Sequence, residues 1–126
     1  MSKFYRCSIC GNLVELINVG GGQLVCCGKP MELLESNTVD ASFEKHVPVI
    51  DIKDDEITIS VGSDMHPMIA EHYIEWIYIK VENEKIRFDL IPSDIPKVSC
   101  KIPKTGKVEV YAYCNLHGLW SASVDR

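Results

Sequence analysis

The chain has 126 residues, 46% of them hydrophobic and 25% charged, so it carries enough apolar mass for a packed core and is not composed like a disordered segment. Its net charge of −5, with no stripe of Lys and Arg, argues against nucleic acid as a partner, because phosphate binding wants clustered cations. The N-terminal MSKFYRCSIC has no apolar signal region, and no later stretch approaches the roughly 18 uncharged residues of a membrane span, so no membrane role and a cytoplasmic location are expected.

That compartment matters for the six cysteines, because reducing conditions disfavour disulfides and make clustered thiols metal ligands or redox groups. Residues 1–36 hold four of them, in short alternating pieces FYRC, LVELI and QLVC separated by GGG and a CGKP turn. This reads as a small knuckled sheet, and domains below roughly 40 residues usually need a metal or disulfide to fold. Cys7 and Cys10 have C-x2-C spacing, with Gly11 where a metal knuckle needs a residue tolerant of positive φ. Cys26 and Cys27 follow as an adjacent pair. Neighbouring side chains on extended backbone point apart, so a site using both should be distorted. Four thiolates suit tetrahedral zinc or iron, and spacing does not choose between them.

From residue 37 to 126 the texture changes to Val-, Ile- and Tyr-rich runs: VPVIDIK, EITISV, YIEWIYIKV, KIRFDLI, KVSCKI, KVEVYAYC and LWSASV. Seven short strands punctuated by DD, GSD, ENE, PSDIP and PKTG predict an antiparallel β-sandwich, immunoglobulin-like in type, with no helix of useful length. YIEWIYIKV is apolar on both faces and belongs inside a sheet; strands with charged ends suit the edges. Cys100, sharing a face with Val98 and Ile102, reads as a core residue, as do Trp76 and Trp120.

All four histidines fall in punctuated segments at strand ends: EKHVP, MHPM, AEHY and NLHG give His46, His66, His72 and His117. Cys114 shares a face with Val108, Val110 and Ala112, so it points inward at the end of its strand, with His117 returning in the loop after it. One such histidine alone is ordinarily a surface or capping residue; the set, with an inward thiolate, suits a metal at the sandwich end. A blue-copper site would want a weak axial Met downstream, and no Met follows Met68. A zinc enzyme with three histidine ligands would leave Cys114 without a role.

The segments FEKHVPV, HPMIAEHYIEWI and CNLHGLW, with C-x2-C and the later CC pair, resemble the desulfoferrodoxin family of two-iron superoxide reductases over nearly the whole chain. The resemblance implies a desulforedoxin-like domain, residues 1–36, holding a tetrathiolate iron on Cys7, Cys10, Cys26 and Cys27. It implies a sandwich domain, residues 37–126, holding a catalytic iron on His46, His66, His72 and His117 with axial Cys114, the sixth position open. Glu44 would be the carboxylate able to take that position on ferric iron, and Lys45 the cation beside the incoming superoxide. A rubredoxin-type electron donor and a homodimer paired through the small domain are also implied. Because the net charge repels an anion, steering would be local, within a Debye length of about 8 Å. The competing expectations are a non-catalytic electron carrier or adaptor with zinc in the tetracysteine site, and a dismutase.

Overall fold

The computed structural model describes residues 2–126, in two compact units meeting between Glu35 and Ser36. The first unit contains five short strands: β1 (Phe4–Arg6), β2 (Leu13–Glu15), β3 (Val25–Cys26), β4 (Lys29–Pro30) and β5 (Glu32–Leu33). Strands β2, β1 and β5 form one antiparallel sheet in that order, and β3 pairs with β4 as a separate hairpin. Of its described hydrophobic residues only Phe4 and Cys7 are buried, far too little apolar surface to hold about 35 ordered residues unaided.

The second unit begins with a single helical turn, α1 (Phe43–His46), where the sequence reading had a loop. Seven strands follow: β6 (Pro48–Lys53), β7 (Glu56–Val61), β8 (Ile74–Val81), β9 (Glu84–Asp89), β10 (Lys97–Lys101), β11 (Val108–Cys114) and β12 (Gly118–Val124). They are the seven alternating runs of the sequence. Sheets of order β10-β7-β6 and β12-β11-β8-β9 stack as an immunoglobulin-like sandwich, with every pairing antiparallel. The doubly apolar β8 is interior to its sheet, and the edge strand β9 alternates exposed Glu, Lys, Arg and Asp with Ile86 and Phe88, a pattern that discourages edge-to-edge pairing.

The core comes from the inner faces of three strands: Ile57, Ile59 and Val61 of β7, Ile77, Ile79 and Val81 of β8, and Val108, Val110 and Ala112 of β11. Each large aliphatic side chain there contributes about 1.5–3 kcal/mol by leaving water. Cys114 and Ile74 end this core at one pole of the sandwich. The β11–β8 register shifts there, Tyr113 pairing with Trp76 but Cys114 with Ile74. A bulge of this kind re-aims side chains at a strand end. Cys100 on β10 packs against the core only partly buried. Among the described residues no helix is long and apolar enough to cross a membrane.

Candidate metal centres

The first cluster gathers the four N-terminal cysteines, whose sulfurs all lie within 4.8 Å of one another. In the knuckle after β1, the Ile9 and Cys10 backbone N–H groups point at Cys7 Sγ, 3.4 and 3.5 Å away, and the Asn12 N–H points at Cys10 Sγ, 3.5 Å away. Gly11 completes the turn at φ 81°. The Cys10 and Ile9 N–H groups hold the Cys7 thiol down to about 6. The Cys10 sulfur, in contrast, pushes Cys27 up to about 12 and raises Cys26. Without a cation, therefore, Cys26 and Cys27 keep their protons, and a soft metal must displace them.

The adjacent pair reaches one site through a turn. Cys26 ends β3, and Cys27-Gly28 is the two-residue connection to β4, with φ 54° and 74°. Positive φ at both positions is the type I′ requirement, so a cysteine occupies the place that asparagine usually takes in such a hairpin. The Sγ atoms of Cys10 and Cys26 are 3.6 Å apart, and those of Cys26 and Cys27 4.0 Å. They straddle the edge of about 3.8 Å that a regular tetrahedron has at metal–sulfur distances near 2.3 Å. The donor set fits a tetrathiolate metal with modest angular distortion.

The second cluster sits at the pole of the sandwich. His46 ends α1, and its Nδ1–H donates to Ser42 O at 2.6 Å. His66 follows β7, and its Nδ1–H donates to Pro67 O at 2.7 Å. With those protons committed to carbonyls, both Nε2 atoms carry lone pairs, and they face each other at 3.2 Å. His117 Nδ1 lies 3.1 Å from His46 Nε2 and 3.9 Å from Cys114 Sγ. His72 Nε2 is buried with no hydrogen-bond partner among the described residues. Lone pairs converging at such distances repel unless a cation lies between them.

The four rings form a square. Ring centroids along its edges, His46–His66, His66–His72, His72–His117 and His117–His46, are 4.7, 4.6, 5.1 and 4.9 Å apart, with neighbouring planes at 77–88°. Across the diagonal, His46 and His72 are 6.2 Å apart. The nitrogen separations match the edge of about 3.0 Å between cis nitrogens bound at about 2.1 Å. Cys114 is fully buried, and it, His46, His72 and His117 offer ligand atoms all within 4.8 Å of one another. Burial holds His46 and His72 below the usual imidazole range and His66 down to about 4, so these rings are neutral, the form a metal takes. Burial also pushes the Cys114 thiol up, a cost that a bound cation repays.

Local sequence explains the close Cys114–His117 pair. Asn115, Leu116 and His117 form a three-residue hairpin connection between β11 and β12, closed by Gly118 at φ 79°. Two further residues hold the cluster, and sequence reasoning gave them no such part. Trp120 is fully buried, stacks on the His46 ring at 4.8 Å, and donates its indole N–H to His117 O at 3.1 Å. Gly62 lies against α1, whose Glu44 carbonyl accepts from the Asp64 N–H and the Ser63 hydroxyl.

Glu44 and Lys45 are exposed on α1. The Lys45 charge opposes protonation of both His46 and His72. The Glu44 carboxyl is held below its usual range, chiefly by its own backbone N–H and then by the Ser42 hydroxyl.

An all-β protein with a tetracysteine knuckle and a sandwich bearing a four-histidine, one-cysteine cluster has the donor sets of a metalloprotein with two metal centres. Residues 38–123 match the family Desulfoferrodoxin and residues 1–34 the family Desulfoferrodoxin, N-terminal domain; the chain belongs to the desulfoferrodoxin family. It is 52% identical over 120 residues to a desulfoferrodoxin of Syntrophotalea carbinolica, covering 95% of this chain and 94% of that one. A desulfoferrodoxin of Nitratidesulfovibrio vulgaris is 45% identical over 95% of this chain and 94% of its own. Among solved structures, the superoxide reductase of Treponema pallidum superposes with a TM-score of 0.77 at 32% identity, covering 97% of this chain and 98% of that one.

Proposed function

We propose that this chain is a superoxide reductase, joining one electron and two protons to superoxide to give hydrogen peroxide, with iron held by His46, His66, His72, His117 and Cys114. The observation that carries the reading is the square of four imidazoles beside a buried thiol, with the His46 and His66 Nε2 lone pairs facing each other, a donor set suited to an iron used for one-electron chemistry. Bound there, iron would supply the one-electron couple and a place for the anion. The chain's own residues do the rest: Ser42 O and Pro67 O fix the tautomers, Trp120 fixes one ring plane, and the core keeps water from the sulfur. Iron on Cys7, Cys10, Cys26 and Cys27 serves electron transfer. In domain terms, residues 1–36 carry that centre and residues 37–126 the reductase centre.

Phe43, Met65, Ile69 and Leu116 are exposed apolar residues, each within three positions of a clustered histidine. They support docking of a small redox partner, a rubredoxin-type donor, close to the reacting centre. Val14, Tyr5 and Leu33 lie abreast on one face of the β2-β1-β5 sheet, with Val14 and Leu33 exposed, which supports pairing of two copies as a homodimer. Six free cysteines support a cytoplasmic location and a role in removing superoxide there.

Iron-loaded, reduced protein given superoxide without oxygen is expected to yield hydrogen peroxide and no oxygen. Dismutation would release one oxygen for every two superoxide ions, and one colourless zinc per chain would leave only the carrier or adaptor reading.

Lys45→Ala is expected to slow superoxide capture about three- to tenfold and to flatten its dependence on ionic strength, since one local cation offsets the repulsion from a −5 molecule. Pulse radiolysis at several salt concentrations reads both. An unchanged rate and slope would remove Lys45 from substrate capture. Glu44 is proposed as a carboxylate that would bind the iron in its ferric state, so Glu44→Ala should alter the ferric spectrum while turnover persists.

A further inference from the structure

His72 is held differently from two of its neighbours in the square. His46 and His66 are each oriented by a ring N–H on a backbone carbonyl, while the His72 Nε2 is buried without a hydrogen-bond partner among the described residues. Its backbone is spent on a tight loop: His72 N–H donates to Ile69 O, and Ile69 N–H to His72 O, both at 3.1 Å. What ties that loop to the rest of the cluster is Asn115, which lies between Cys114 and His117 in the chain. Its Oδ1 accepts from the Tyr73 N–H at 2.9 Å, its Nδ2 donates to Glu71 O at 3.0 Å, and its own N–H donates to Tyr73 O at 3.2 Å. One side chain thus grips the residue before His72 and the residue after it.

We infer that Asn115 is a positioning residue for the second centre: its carboxamide clamps the Glu71–Tyr73 segment to the Cys114–His117 turn and so fixes where the His72 nitrogen stands. The inference rests on the metal reading above. An amide is required because the two backbone partners are one donor and one acceptor. Leucine or alanine satisfies neither, aspartate satisfies only the Tyr73 N–H, and glutamine is a methylene too long. Groups that orient a ligand from behind typically govern metal affinity by about 10- to 100-fold.

The test uses the full chain with its tetracysteine centre filled, and cobalt(II) alone as the probe of the histidine cluster, titrated against a competing chelator. Asn115→Ala is expected to weaken cobalt binding about 10- to 100-fold, and Asn115→Asp less. The cobalt visible bands of Asn115→Ala should move toward those of His72→Ala. In the His72→Ala background, Asn115→Ala should cost little more, because the loop it holds no longer carries a ligand. Equal losses with and without His72, or an unchanged affinity, would overturn the inference. Should Asn115→Ala misfold, shown by loss of the near-ultraviolet circular dichroism of the sandwich's buried Trp120 and Tyr111, Asn115→Asp carries the same cycle with the same two outcomes. Parent protein that binds no cobalt at the histidine cluster would instead overturn the functional reading.

Discussion

Replacing Gly62 by alanine should prevent the histidine-rich centre from filling while the tetracysteine centre still fills. A Cβ at position 62 would stand 2.6 Å from Glu44 O, 2.8 Å from Lys45 C and 3.1 Å from His46 N. All three are backbone atoms, so no rotamer change relieves the contact, and α1 must move away from the loop after β7. That loop is also tied to α1 by the Asp64 N–H on Glu44 O at 2.8 Å, and it places His66 through the His66 N–H on Val61 O at 2.9 Å. Pushing the two segments apart therefore separates His46 from His66, whose Nε2 atoms are 3.2 Å apart. Overpacking of this kind costs about 1–3 kcal/mol of stability. The larger effect falls on metal binding, where displacing one ligand pair by a few tenths of an ångström breaks the square. Iron content per chain and the two chromophores measure it: the expected result is one iron rather than two, with superoxide reduction lost. Two irons and full activity in Gly62→Ala would show that α1 yields without carrying His46 along.

The role of Gly62 was not legible in the sequence, where GSD reads as ordinary turn chemistry. Its reason for being glycine is a carbonyl 18 positions upstream. The same distinction runs through the molecule. Alternation revealed all seven sandwich strands, and the doubly apolar β8 announced its interior place, because side-chain direction along a strand is a local property. The inward aim of Cys114 followed from the same period, and the histidines stood out by sitting at strand ends. The single turn of α1 was missed because four residues are too few for a helical period to show.

The adjacent cysteines are an intermediate case. CG followed by a short strand is a hairpin signal, and a type I′ turn at Cys27-Gly28 could have been read from it. The expectation of extended backbone hid that reading, and with it the means by which both sulfurs reach one site. Asn115 and Trp120 were visible as residues but not as partners. Asn115 grips a segment 42 positions upstream, and Trp120 stacks on a ring 74 positions upstream, pairings that only the closed sandwich creates. Sequence thus displayed the donor atoms, and the fold supplied what holds them still.

Trp120→Ala should be the most destabilising single change at this pole of the sandwich. The indole is fully buried, Phe43 meets it edge-on at 5.2 Å, and it stacks on His46 at 4.8 Å with an interplanar angle of 29°. Truncating a buried aromatic to alanine costs about 3–5 kcal/mol through lost transfer energy and the cavity left behind. The loss would also free the His46 ring and leave His117 O without its 3.1 Å donor. Trp120→Phe separates these effects, because it keeps a ring against His46 but has no N–H, so it should cost less, about 1–3 kcal/mol for the stranded carbonyl and the smaller ring. Denaturant unfolding of the iron-loaded protein, followed at the histidine centre's absorption, gives the comparison: the midpoint should fall in the order parent, Phe, Ala. Iron release to a chelator should accelerate in the same order, since the residue that fills the core is also the wall against which a ligand rests. Equal midpoints for the alanine and phenylalanine variants would mean that the ring against His46 contributes nothing, and that the indole acts through its N–H on His117 O.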